Sequence, residues 1–140
     1  MSPVTPLARG RSRVLIVDDQ RQNRDLLEVM LSEEGFLLQT AANGEVALAL
    51  VEQEPPDLVL LDVMMPGIDG YQVAARIKQG AASKHTAIIM VSALGNVHAK
   101  KLGLAAGADD FVSKPVDRQD LLTRVRKLLR ARRGGGADGP

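Results

Sequence analysis

Acidic, hydroxyl and amine side chains follow four short apolar segments of this chain, and together they suit one kind of chemistry. Asp18 and Asp19 come directly after the first apolar run, and Asp62 comes after another. Ser92 and Lys114 follow two further runs in the same way. Carboxylates that lie close together repel each other, and a hard divalent cation such as Mg²⁺ relieves that repulsion through oxygen ligands. An aspartate is also an established nucleophile for phosphoryl transfer, in which a lysine and a cation neutralise the transferred charge.

The segments before these polar residues have the composition of buried β-strands. Each is short and apolar, and none shows the polar alternation of a strand with one face in water. Runs of this kind predict strands that are covered on both faces, as in parallel sheets. The predicted strands are 13–17, 57–61 and 87–91, with weaker candidates at 36–40 and 109–113.

Segments with helical patterns lie between and after the predicted strands. The last contains Leu121, Val125, Leu128 and Leu129 at the spacing of one apolar helix face. Five βα units in a row predict a doubly wound α/β sandwich, a flavodoxin-like (βα)5 fold with a five-stranded parallel sheet in the order 2-1-3-4-5. Ligands of such sheets bind at the carboxyl ends of the strands, where the polar residues are expected to converge. The other predicted helices are 20–34, 43–53, 70–78 and 96–106.

The length of 140 residues is that of one ordinary domain. We predict that this domain spans 12–131. The segment 1–11 holds two prolines and one glycine without a hydrophobic period, which predicts a flexible N-terminal tail. The glycine-rich segment 132–140 predicts a flexible C-terminal tail.

Composition excludes several classes of function. Without cysteine the chain has no disulfide and no thiolate nucleophile, which fits a reducing compartment. The formal net charge of +1 argues against a broad electrostatic grip on nucleic acid. Six basic residues lie between Arg124 and Arg133, and we interpret them as the polar face of the last helix. No apolar run approaches the roughly 18 residues of a membrane span, and no secretory signal is present, so we predict a cytoplasmic protein.

The chain resembles the receiver domains of bacterial response regulators over about residues 12 to 131. All elements of the resemblance occur in order, each behind its own predicted strand. They are VLIVDD at 14–19, LLDVMMPGIDG at 60–70, VSA at 91–93 and GADDFVSKP at 107–115.

The resemblance implies a role for each polar residue of the predicted site. Asp62 is expected to be the phosphoacceptor, with Lys114 as the cation that supports the phosphoryl group. Asp19 is expected to bind Mg²⁺ directly, and Asp18 largely through water. The backbone carbonyl of Met64 is expected to complete the protein's share of the metal ligands.

The resemblance also implies a switch. Ser92 corresponds to the hydroxyl that moves toward the phosphoryl group, and Phe111 to the aromatic residue that turns inward when it does. Many receivers have tyrosine at that place, so any signal through a tyrosine hydroxyl is absent here. A cis peptide before Pro115 is expected to aim the lysine. The surface formed by 95–106, 109–113 and 117–131 is expected to change on phosphorylation.

The implied partners are a histidine kinase or phosphotransfer protein as donor, and a second receiver or a downstream output protein as target. Neither a membrane nor nucleic acid is an expected partner of this domain. The domain is not expected to be an enzyme, except that it catalyses its own phosphorylation and dephosphorylation.

Other functions remain open. The chain could be a receiver module of a larger hybrid kinase or cyclic-dinucleotide enzyme. An aspartyl-nucleophile phosphatase of the haloacid dehalogenase type would place its nucleophile after the first strand, in D-x-D-x-T/V, whereas Asp62 follows the third. A DNA-binding regulator would need a helix-turn-helix domain after residue 131, where nine residues remain.

Overall fold

Five parallel strands form one sheet in the order β2-β1-β3-β4-β5, which confirms the predicted fold and strand order. The structure is a computed structural model that describes the backbone of residues 11–138 and side chains as far as Arg132. Residues 1–10, most of the predicted N-terminal tail, lie outside the described residues. The strands are β1 (Arg13–Val17), β2 (Leu37–Ala41), β3 (Leu58–Asp62), β4 (Ala87–Ser92) and β5 (Asp110–Ser113).

Each strand is followed by a helix, as the alternating pattern predicted. The main difference is at the C-terminal end, where the last helix continues through most of 132–140, the segment predicted as a flexible tail. That prediction rested on its glycines, which lower helix propensity without preventing a helix from continuing. The helices are α1 (Arg21–Leu31), α2 (Gly44–Gln53), α3 (Gly70–Gln79), α4 (Val97–Ala105) and α5 (Arg118–Asp138).

The sheet has a hydrophobic core on each face, because successive strand side chains point to opposite sides. Leu15 and Val17 of β1 join the core covered by α2, α3 and α4, whereas Val14 and Ile16 join the core covered by α1 and α5. Burial of a Leu, Ile or Val side chain stabilises a fold by about 1.5–3 kcal/mol. Both faces of the sheet are therefore covered and excluded from solvent, as the apolar strand runs predicted. Within residues 11–138, no helix has the combination of length and apolar composition that a bilayer crossing requires.

The loops at the carboxyl edge of the sheet are fixed by helix caps. The Asn43 side chain accepts a hydrogen bond from Val46 N at the start of α2, and Asn96 accepts one from Ala99 N at the start of α4. Asp69 forms a reciprocal capping box at the start of α3. These caps hold the first turns of three helices beside the ends of the strands.

Gly70, the first residue of α3, allows this helix to begin directly against the end of β3. Its N–H donates to the Val63 carbonyl at 2.9 Å. A Cβ atom at this position would lie 2.8 Å from the Cα of Val63 and would also meet the Asp62 carbonyl. Both are backbone atoms, so a larger residue would displace the end of β3.

We predict that Gly70→Ala lowers the free energy of unfolding by roughly 1–3 kcal/mol, the usual cost of overpacking. Urea denaturation followed by circular dichroism would measure this. The matched control is Gly103→Ala in α4, where the added Cβ would meet side-chain atoms of Met90 and Phe111 at 3.1 and 3.3 Å. Those side chains can yield, and alanine favours the helix by about 1 kcal/mol, so the control should stay near the wild type. Equal losses in both variants would contradict the prediction.

Candidate functional site

Three carboxylates meet at the carboxyl edge of the sheet, as the sequence predicted. Val17 of β1 pairs with Leu61 of β3, which places Asp18 beside Asp62, with Asp19 one residue further on. One oxygen of each carboxylate lies within 4.8 Å of the others. Asp18 is 1% exposed and Asp62 is 5% exposed, so two of the three carboxylates have lost nearly all contact with solvent.

Lys114 is the cation that faces this cluster. Its Nζ donates to Asp18 Oδ2 at 3.0 Å and lies 3.6 Å from Asp62 Oδ1. The peptide bond between Lys114 and Pro115 is cis, as expected. One lysine thus compensates part of the charge of three carboxylates.

Burial raises the pKa of Asp62 to about 6. The negative charge of Asp18 adds to this effect, and that of Asp19 adds less. Lys114 and a hydrogen bond from the Met64 backbone act in the opposite direction and lower the pKa. The net result is a carboxyl group that is harder to ionise than a free aspartate, because its charged form is poorly solvated and faces like charge.

The donor set at this edge fits Mg²⁺. Carboxylate oxygens are the ligands that Mg²⁺ takes from proteins, and three are available within a few ångströms. Among the described residues, Lys114 is the cation that contacts these carboxylates, so their negative charge is only partly compensated. A divalent cation held by Asp18, Asp19 and Asp62 would supply the missing positive charge.

Asp18 is the most tightly bound residue of the cluster. Its Oδ1 accepts hydrogen bonds from Gln20 N at 2.9 Å and from the Asn23 side chain at 3.4 Å. Its backbone carbonyl accepts one from Arg24 Nη1 at 2.8 Å. Neither Asn23 nor Arg24 was predicted from the sequence as part of the site. Their place in the first turn of the helix after the acidic pair could have indicated that they lie near Asp18.

Ser92 lies at the end of β4, next to the cluster. Asp62 pairs with Val91, so Ser92 lies one position beyond the partner of Asp62 on the neighbouring strand. Its side chain is completely buried, and its Oγ accepts a hydrogen bond from Leu94 N at 3.0 Å. Its backbone carbonyl accepts one from Lys114 N at 2.9 Å, which joins the ends of β4 and β5.

Phe111 is buried in the core, whereas Met64 has an exposed side chain and a backbone hydrogen bond to Asp62. The Phe111 ring is 8% exposed and packs in the core on the α4 side, facing Gly103. The ring already points inward here, and its expected movement stays a prediction. The Met64 side chain is 60% exposed, and the role of its carbonyl as a metal ligand also stays a prediction.

Comparison with known proteins identifies the class to which this fold and edge belong. The family profile described as "Response regulator receiver domain" matches residues 14–126. The chain therefore belongs to the response regulator receiver domain family, whose members act in two-component signalling. Neither histidine belongs to the acidic cluster found among the described residues, which consists of aspartates alone.

Individual relatives agree with the family assignment. The chain is 46% identical over 120 residues to a Guillardia theta protein named "Probable transcriptional regulator ycf27", covering 86% of this chain and 46% of that protein. It is 41% identical over 119 residues to the response regulator PleD of Caulobacter vibrioides, covering 85% of this chain and 26% of PleD. The chain thus spans less than half the length of either relative.

Solved structures give the same fold. A CheY-like response regulator receiver domain protein from Methanospirillum hungatei superposes with a TM-score of 0.83 at 29% identity. The match covers 89% of this chain and 98% of that one.

We predict that the raised pKa of Asp62 makes stability fall as pH rises. Above about pH 4 the unfolded chain releases this proton, whereas the folded protein retains it until about pH 6. The folded state therefore loses relative stability across that interval. Asp62→Asn removes the titration and should be more stable than the wild type by roughly 1–3 kcal/mol at pH 7, but by little at pH 4.

Urea denaturation at a series of pH values, without divalent cations, measures this difference. Titrating groups outside the cluster are shared by both proteins and cancel. Asp25→Asn, at an exposed position on α1, is the control and should not reproduce the gain in stability at pH 7. A pH-independent difference for Asp62→Asn would contradict the assignment of the raised pKa.

Proposed function

We propose that this domain is a phosphorylation-dependent signalling switch in which Asp62 accepts a phosphoryl group from a phosphohistidine donor in the presence of Mg²⁺. The single observation that supports this most is the position of Asp62, buried between Asp18 and Lys114 at the carboxyl edge of the sheet. A nucleophile, acidic ligands and a counter-cation are there within reach of one another. The absence of cysteine also fits the cytoplasmic location that we propose.

The reaction needs the ionised form of Asp62. One carboxylate oxygen attacks the phosphorus atom, the phosphorus–nitrogen bond to the donor imidazole breaks, and an acyl phosphate forms on Asp62. With a pKa of about 6, most of the Asp62 population is ionised at pH 7 and above. Mg²⁺ would supply positive charge for the phosphoryl oxygens, held directly by Asp19 and through water by Asp18.

Lys114 and Ser92 support the phosphoryl group in this proposal. The ammonium group of Lys114 is 3.6 Å from an oxygen of Asp62 and can pair with a new phosphoryl oxygen. Ser92 can donate its hydroxyl hydrogen to the same group after its Oγ leaves the hydrogen bond with Leu94 N. That exchange would move the start of the loop before α4.

The proposed donor is a histidine kinase or a phosphotransfer protein. A groove of about 410 Å³ lies beside the acidic edge, between α1 and the loop after β5. Its lining is mainly apolar and includes Leu26, Pro115 and Val116, with Lys114 at the side of the cluster. Apolar surface next to a charged site suits a protein donor better than a small polar one.

The proposed output is a change in the surface formed by α4, β5 and α5. Val97, Leu102 and Leu104 of α4 are exposed apolar side chains on this surface. Movement of Ser92 and Phe111 would act on α4 from its N-terminal end and from beneath. A second receiver or a downstream output protein would bind there, whether the domain acts alone or as a module of a hybrid kinase or cyclic-dinucleotide enzyme.

Charge pairing within the domain speaks against nucleic acid as its partner. Arg124 pairs with Asp110 and Asp120, and Arg132 pairs with Asp57. Arg126 pairs with Glu34. Three arginines of α5 are thus already paired with the domain's own carboxylates.

We predict that incubation with acetyl phosphate and Mg²⁺ adds one phosphoryl group, and that Asp62→Asn abolishes this addition. The amide cannot act as the nucleophile, although it has nearly the same shape. Intact-mass measurement before and after chelation of Mg²⁺ follows the reaction, and Asp25→Asn should label as the wild type does. Normal labelling of Asp62→Asn, with the group located on another residue, would refute the proposal.

We also predict that Asp19→Ala weakens Mg²⁺ binding by roughly tenfold or more, because it removes a direct ligand. The same change relieves repulsion within the cluster, so the variant should be at least as stable as the wild type without Mg²⁺. Titration of Mg²⁺ followed by NMR shifts of the amides near Asp19 and Asp62 gives the affinity. An unchanged affinity would remove Asp19 from the ligand set.

A further inference from the structure

We infer that Arg24 is a positioning residue of the acidic site, which aims Asp19 by holding the peptide group between Asp18 and Asp19. The inference rests on the function proposed above, in which Asp19 binds Mg²⁺ directly. Arg24 itself acts through the backbone. Among the described residues, its side chain makes no ion pair, and its hydrogen bond goes to the Asp18 carbonyl at 2.8 Å.

The carbonyl that Arg24 holds belongs to the same planar peptide unit as the N–H of Asp19. Because the unit is rigid, fixing the direction of its carbonyl also fixes the position from which the Asp19 Cα projects its side chain. The other end of this stretch is fixed as well, since Asp18 N donates to the Ala41 carbonyl of β2 at 3.2 Å. Arg24 thus completes the restraint of the chain where it leaves the sheet.

Asp19 depends on this restraint more than its neighbour does. Both carboxylate oxygens of Asp18 accept hydrogen bonds, from Gln20 N, Asn23 and Lys114. The carboxylate of Asp19 has no hydrogen bond or ion pair with any of the residues that the structure describes. The place of this carboxylate therefore depends on where the backbone puts the Asp19 Cα, and the backbone at this point is held by Arg24.

The position of Arg24 on α1 explains why it can reach this carbonyl. Arg24 N donates to the Gln20 carbonyl at 3.1 Å, so the residue lies in the first turn of the helix. Helical side chains project back toward the N-terminus, which here means toward the end of β1. The Gln20 side chain does not cap the helix, so a long side chain from the first turn can extend over the loop.

Arg21 offers a matched comparison on the same helix. It carries the same charge and lies three residues earlier, but its side chain is 84% exposed and pairs with Asp25 at 3.7 Å. Removing Arg21 therefore removes one positive charge near the acidic edge without releasing the loop. Removing Arg24 removes one positive charge and also releases the loop.

The experiment uses the full chain and compares Arg24→Met, Arg24→Lys and Arg21→Met with the wild type. Mg²⁺ affinity is measured by titration, and the Asp19 amide nitrogen is followed by NMR without Mg²⁺, because it belongs to the peptide that Arg24 holds. Loss of a group that orients a metal ligand commonly costs 10–100-fold in metal affinity. Arg24→Met should therefore bind Mg²⁺ at least roughly tenfold more weakly and shift the Asp19 amide resonance.

Arg24→Lys should recover part of the affinity, since the contact uses one donor atom, which lysine can supply. Arg21→Met should keep the wild-type affinity and the wild-type Asp19 resonance. The inference is overturned if Arg24→Met binds Mg²⁺ as the wild type does, if Arg21→Met is equally weakened, or if lysine restores nothing. Failure of the wild type itself to bind Mg²⁺ or accept a phosphoryl group would instead overturn the proposed function.

Discussion

Repulsion between carboxylates at the end of a parallel sheet is the constraint on which the rest of this domain depends. Asp18 and Asp62 are buried side by side, and burial removes the water that would otherwise screen their charges. The fold tolerates this because the two hydrophobic cores stabilise the sheet independently of its edge. The edge is therefore a site with excess negative charge. Such a site favours the binding of a cation, and of anionic groups that coordinate the same cation.

The strand order determines which side chains can compensate the negative charge of the carboxylates. Asp18 and Asp62 lie on neighbouring strands, but Lys114 follows β5, which is separated from β3 by β4. Adjacent strands are about 4.8 Å apart, so the lysine must reach across roughly 10 Å to contact Asp62. The long side chain of Lys114 makes this contact, while Ser92 lies at the end of the intervening strand β4. A shorter cationic side chain could not serve from that strand.

The fold and the gathering of the three aspartates at its edge were predictable because both depend on patterns visible along the chain. Apolar runs predicted the strands, and the polar residue after each run identified the edge. The extent of α5 was not predictable in this way, since its glycines favour a tail and helix continuation depends on the preceding turns. The contact of Arg24 was also invisible, because periodicity shows which side of α1 is polar but not which polar group binds a backbone carbonyl.

The distribution of ion pairs indicates which helices a structural change at the carboxyl edge can displace. Arg118 and Arg126 of α5 both pair with Glu34 after α1, and Arg118 also donates to the Met30 carbonyl. These contacts join α1 and α5 on one face of the sheet. On the other face, no described residue of α4 takes part in an ion pair, and α4 is joined to Ser92 by the loop of residues 93–96. Because single surface pairs contribute at most about 1 kcal/mol, it is their joint restraint that matters. A displacement at Ser92 therefore meets less resistance from α4 than from α1 and α5.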